Sequence, residues 1–136
     1  MAPLFLLTSR CRGAEWSRNQ GMKDLEELRV VVAEFARERD WEQFHSPKNL
    51  AMALNVEAAE LLEHFQWLSE EDSMAPPRER RQAIADEIAD VLVYLVRLAD
   101  RLNIDIGEAV ARKMQINAEK YPADKVRGSA RKYTEY

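Results

Sequence analysis

Leu54-Asn55-Val56-Glu57-Ala58-Ala59-Glu60-Leu61-Leu62-Glu63-His64-Phe65-Gln66-Trp67-Leu68 carries two patterns at once. Leu54, Ala58, Leu61, Phe65 and Leu68 recur at spacings of 4, 3, 4 and 3, the apolar stripe of an amphipathic helix. Glu57 and Glu60 are three apart and share a second face beside that stripe. The same double pattern returns further on. Ile88, Leu92, Leu95, Ala99 and Leu102 form a second 4, 3, 4, 3 stripe, accompanied by Glu87 and Asp90. At about 100° per residue, Glu57 and Glu60 fall about 60–120° from their stripe and Glu87 and Asp90 about 100–160° from theirs, on the same rotational side.

Working outward, a first helix is expected from about Lys23 to Arg39, on Leu25, Leu28, Val32 and Phe35. An aromatic connection, Trp41 to His45, leads to Ser46, a plausible N-cap with Pro47 at the first helical position. The second helix is then expected to run to about Leu68, and 69–76 to be a loop. A third helix is expected from about Pro77 to Leu102. Asn103 breaks it, Asp105 caps a fourth from about Ile106 to Tyr121, and Pro122 ends that one. No strand pattern, internal repeat or low-complexity run interrupts this order. The expectation is an all-α fold, an antiparallel bundle of about four helices that oligomerises.

The whole chain sets bounds on function. Its 136 residues, 46% apolar and 32% charged, suit one domain with one core. A net charge of −4 provides no footprint for duplex nucleic acid. The short apolar run Leu4 to Leu7 is too short to span a membrane and lacks the flanks of a secretory signal. The single cysteine, Cys11, excludes an internal disulfide and fits a reducing cytoplasm. Residues 1–21 have no period and read as a disordered extension or an artefact of the chosen start, with Met22 directly before the first periodic segment. The domain proper is expected over 22–136, with a polar tail at 123–136.

The acidic pairs match in depth. Counted from the connection they share, both lie roughly 12–20 Å along their helices, so an antiparallel hairpin sets them side by side. Four clustered carboxylates repel one another unless a cation intervenes, and hard oxygen ligands suit Mg²⁺ or Mn²⁺. A single E-x-x-E pair is an ordinary solvated helix face; two pairs matched in depth favour a metal site at Glu57, Glu60, Glu87 and Asp90. A ferritin-like di-iron site needs Glu-x-x-His, and His64 stands four residues after Glu60 instead of three.

These residues also carry a resemblance. Glu57 to Trp67 and Asp86 to Tyr94 resemble the MazG-type all-α nucleotide pyrophosphohydrolases, in the small single-domain branch that includes dCTP pyrophosphatase. The likeness extends over Arg39 to His45, Lys113-x-x-x-Asn117-x-x-Lys120-Tyr121-Pro122, and Arg127 to Thr134. It implies that Glu57, Glu60, Glu87 and Asp90 bind Mg²⁺. It also implies water attack on the α-phosphorus of a nucleoside triphosphate with release of pyrophosphate, by a homodimer or homotetramer; the implied role is nucleotide-pool cleansing or pool control. Glu60 is the candidate general base. Pyrimidine deoxynucleotides such as dCTP are candidate substrates, although the eukaryotic dCTP enzymes carry a base-reading histidine where this chain has Val32.

The resemblance further places Trp41, Trp67 and Tyr94 at the base pocket, where rings stack on bases; packing in a core or an oligomer interface is the alternative. Lys113, Asn117 and Lys120 share a helical face suited to phosphates, and Lys132 and Tyr133 are candidates in the tail. Phe44, His45 and His64 read as packing or structural residues, with His45 a secondary pocket candidate. The competing function is a non-catalytic helical interaction protein whose acidic clusters only solubilise it.

Overall fold

The computed structural model describes residues 24–135, and among these there is no strand. The elements are α1 (Leu25–Glu38), a 3₁₀ turn (Glu42–Phe44), α2 (Pro47–Glu63), α3 (Glu70–Ser73), α4 (Arg78–Arg101), α5 (Ile106–Lys120), α6 (Ala123–Val126) and a second 3₁₀ turn (Tyr133–Glu135). The expected all-α fold is what forms. Cys11 and the expected extension over 1–21 lie outside the described residues.

Local chemistry sets the ends of these helices. Asp24, Ser46, Ser69 and Asp105 cap α1, α2, α3 and α5, each side chain accepting from the backbone N–H three residues on. Asp40 and Asn103 both adopt φ of +52°, the left-handed conformation that stops a helix. At α1, the Trp41 amide reaches back to the Ala36 carbonyl at 2.9 Å and the Asp40 amide to Arg37 at 3.1 Å. At α4, the Ile104 amide reaches Ala99 at 2.9 Å and the Asn103 amide reaches Asp100 at 3.1 Å. Each pair of bonds is a Schellman closure, and the first turns Trp41 back beneath the end of α1.

The long helix α4 is the centre of the fold, packing against α2 on one side and α1 on the other. Leu28 and Val32 of α1 meet Val96, with Val93 and Ile106 packed around them. Leu50 and Ala53 of α2 meet Tyr94, with Leu54 and Leu98 around them. Leu50 and Val96 are the largest fully buried side chains, each contributing about 1.5–3 kcal/mol relative to an exposed state.

Three expectations are corrected. The α4 stripe is not the core: Ile88 is 52% exposed, Leu92, Leu95 and Leu102 are also exposed, and only Ala99 is buried. The buried positions of α4 are Ile84, Tyr94, Val96, Arg97 and Ala99, because two helices cover it from different directions. On α2 the deepest residues are Leu50 and Ala53, both ahead of the expected stripe that starts at Leu54, and Ala58 of that stripe is exposed. α2 also ends at Glu63, and the expected loop holds α3, started by the Ser69 cap.

Within the chain α5 buries no residue, and Val110 and Met114 stand exposed on it. Ile106, in its first turn, joins the α1–α4 core. Among the described residues, α1, α2 and α4 thus pack together while α5 leaves its apolar residues uncovered.

Candidate functional site

The seam between α2 and α4 changes character along its length. Leu50, Ala53 and Tyr94 make one stretch apolar. Beyond it, a carboxylate oxygen from each of Glu57, Glu87 and Asp90 lies within 4.8 Å of the others, and all three residues are half-buried. Glu60 is outside this trio, also half-buried on the next turn of α2. The acidic pairs thus line the seam where apolar side chains would otherwise meet.

Electrostatics record the crowding. Burial, then Asp90, Glu60 and Glu87, push the Glu57 carboxyl up to about 7. Burial followed by Glu60 and Asp90 raises Glu87, with His64 opposing the rise. Burial followed by Asp86 and Glu60 raises Asp90. Tyr94 lies one turn beyond Asp90, and burial with the charges of Glu57 and Asp90 lifts its phenol to about 12. Among the described residues, Glu87 Oε2 is buried with no hydrogen-bond partner, a costly state for a carboxylate oxygen. An orphaned oxygen within a trio of hard donors fits a divalent cation such as Mg²⁺ or Mn²⁺.

The aromatic candidates occupy two kinds of place. Trp41 follows the α1 closure and is half-buried. Its ring meets Phe35 edge-on at 5.8 Å and His45 at 6.4 Å. Trp67, past the end of α2, is 86% exposed, so it does not fill this chain's core. Val32 is buried among Leu28 and Val96 and serves packing.

The cationic candidates are not gathered at the carboxylates within this chain. Lys113, Asn117 and Lys120 ride on α5, which has no extensive contact with α2 or α4. Lys120 sits 5.0 Å from the Tyr133 ring, and Tyr133 meets Tyr121 edge-on at 5.9 Å, so the tail folds back on the end of α5. Lys132 is exposed beside that contact.

One group was not legible as part of a site. Arg97 lies buried beneath the turn holding Trp41 and bonds Glu42 and His45. The available signal was an arginine within the apolar run Val91 to Ala99, followed by Asp100 three residues after it.

The MazG-like family model matches residues 52–136, which contain both acidic pairs and the tail. This chain belongs to the MazG-like family. Among similar proteins, human dCTP pyrophosphatase 1 is 52% identical over 114 residues, and the mouse protein is 50% identical over 113. Each match takes in 82% of this chain and 66% of the relative, so the chain spans just under two thirds of those proteins' length. A pyrophosphatase from Archaeoglobus fulgidus superposes with a TM-score of 0.69 at 43% identity, covering 76% of this chain and 96% of that one.

Proposed function

We propose that this chain is a divalent-metal-dependent nucleoside triphosphate pyrophosphohydrolase that converts (d)NTP and water to (d)NMP and pyrophosphate, with dCTP among its substrates. The observation that carries the reading is the Glu57–Glu87–Asp90 trio, which contains the unpartnered buried oxygen of Glu87. The names of the dCTP pyrophosphatase and pyrophosphatase relatives support the reaction class. An interaction protein with a merely solubilising acidic surface has no need to bury these carboxylates against one another.

Glu57, Glu87 and Asp90 would hold the ion, Mg²⁺ or Mn²⁺, with Glu60 beside them. A divalent ion there supplies charge neutralisation at phosphoryl oxygens and acidifies water. The chain's own residues then have positioning work to do. Glu60 accepts the proton of the attacking water at a carboxylate oxygen. Trp41 and Trp67 bound the base, whose π-face stacks on any ring, while Tyr94 is buried against Leu50 and Ala53 and supports the seam beside them. Lys113, Asn117, Lys120, Lys132 and Tyr133 meet the phosphates. For these to reach the trio, a second copy must bring its α5 and tail, which accords with the unburied faces of α4 and α5. The working enzyme is thus a homodimer or homotetramer, placed in the cytoplasm and acting in nucleotide-pool cleansing. No helix among the described residues is long and apolar enough to cross a membrane.

The test is a pyrophosphate-release screen over normal and modified triphosphates with Mg²⁺, Mn²⁺ or EDTA. Metal-dependent release, including from dCTP, is expected. Absence of release from every triphosphate would overturn the reading.

A further inference from the structure

Arg97 is 3% exposed, the one buried charged side chain among the described residues. Each of its three nitrogens donates one hydrogen bond. Nη1 donates to Asp100 Oδ2 at 2.7 Å, Nη2 to Glu42 Oε1 at 3.2 Å, and Nε to His45 Nδ1 at 3.3 Å. Asp100 also accepts from Arg29 Nη1 of α1 at 2.9 Å. One guanidinium therefore ties α4 to the turn at 41–45 and, through Asp100, to α1.

Burying an arginine gives no net advantage in stability over an apolar residue of similar volume. What its planar fork provides is orientation, because several donors leave one rigid plane in fixed directions. The groups so oriented, Glu42 and His45, flank the turn whose first residue is Trp41. Arg97 also lies on the same face of α4 as the site. Glu87, Asp90, Tyr94 and Arg97 follow at spacings of 3, 4 and 3, so Arg97 stands about 10 Å along the helix axis from Asp90. Along that face the carboxylates come first, then the Tyr94 ring, then the anchored turn.

A neutral imidazole has one N–H and one bare nitrogen. With Arg97 donating to Nδ1, the His45 proton is on Nε2, and Nε2–H is the only polar group the ring can offer a ligand. Burial, then the positive charges of Arg97 and Arg101, hold the His45 pKa below its ordinary value, with the Glu42 carboxylate opposing.

We propose that Arg97 is a positioning residue for the nucleoside end of the site: through Glu42 and His45 it fixes the turn that presents Trp41, and it holds His45 as the Nε2–H tautomer. This rests on the reading of the chain as a nucleoside triphosphate pyrophosphohydrolase.

The experiment compares wild type with Arg97→Met, Arg97→Lys and Glu42→Ala. Three quantities are read: the His45 tautomer from long-range ¹H–¹⁵N correlations, KM and kcat for dCTP with Mg²⁺, and the rise in melting temperature on adding Mg²⁺. Wild-type His45 is expected as a single Nε2–H form. In Arg97→Met that preference should be lost and KM should rise about tenfold, a loss of about 1.4 kcal/mol in binding, with little change in kcat. The Mg²⁺-induced rise should be unchanged, and Arg97→Lys should recover part of the KM. Glu42→Ala, on an exposed side chain, should raise KM in the same direction and serves if Arg97→Met does not fold. Nδ1–H in the wild type, or unmoved KM in Glu42→Ala and the folded Arg97 variants, would overturn the role of Arg97 while leaving the enzymatic reading intact. A wild type that hydrolyses no triphosphate would overturn both.

Discussion

At Glu57 the fold works against ionisation, since burial and three neighbouring carboxylates lift its pKa from 4.5 to about 7. The sign of the consequence follows from proton counting. Between these two values the folded chain holds a proton that the unfolded chain has lost, so stability falls as pH rises through the interval. The metal-free melting temperature of the wild type should therefore drop relative to that of Glu57→Gln between about pH 4.5 and about pH 7. Parallel profiles for the two proteins would contradict this. The other carboxylates are tested by turnover. Glu60→Gln and Asp90→Asn keep shape but remove a charge, and pyrophosphate release should fall by orders of magnitude. Without metal, neither change should lower the melting temperature, because each relieves like-charge repulsion. Near-normal turnover in both variants would defeat the mechanism.

The elements owe their ends to a few side chains. Asn103 holds φ of +52° at the close of α4, where asparagine is tolerated and alanine is strained. Asn103→Ala should cost about 1 kcal/mol in urea denaturation, and Asn103→Gly should cost less. Such stops were legible in the sequence: Asn103, Asp105, Ser46 and Pro122 each mark a boundary that forms within a residue or two. The packing face of α4 was harder to read. A 4, 3, 4, 3 apolar row shows which residues share a face, not which neighbour covers it, and Ile88, Leu92 and Leu95 are exposed in the chain. The clustering of Glu57, Glu87 and Asp90 was legible because hairpin depth follows from counting residues. The Arg97 anchor was not. Its partners Glu42 and His45 are 55 and 52 residues away, and only the fold brings them to it.

For the molecule as a whole, apolar surface is the outstanding feature. Ile88, Leu92 and Leu95 of α4 and Val110 and Met114 of α5 are all exposed in the single chain. Large contiguous exposed apolar patches are rare on monomeric soluble proteins, so self-association of this chain is the expected outcome. Light scattering at micromolar concentration should give at least a dimer mass. Leu95→Glu should shift it toward the monomer and reduce activity if a second copy completes the site. A wild-type monomer that hydrolyses triphosphates at full rate would contradict this.

The α2–α4 seam has apolar contact around Leu50, Ala53 and Tyr94, and self-repelling charge around Glu57, Glu87 and Asp90. Two helices joined in this way separate most easily along the charged stretch, by local opening that leaves the rest of the fold intact. Backbone amides of residues 57–61 and 87–91 should therefore exchange with solvent deuterium faster than those of α1 around Leu28 and Val32. Added Mg²⁺ should slow the first group and leave the second unchanged, so the ion would act as a latch on the hairpin as well as a reagent.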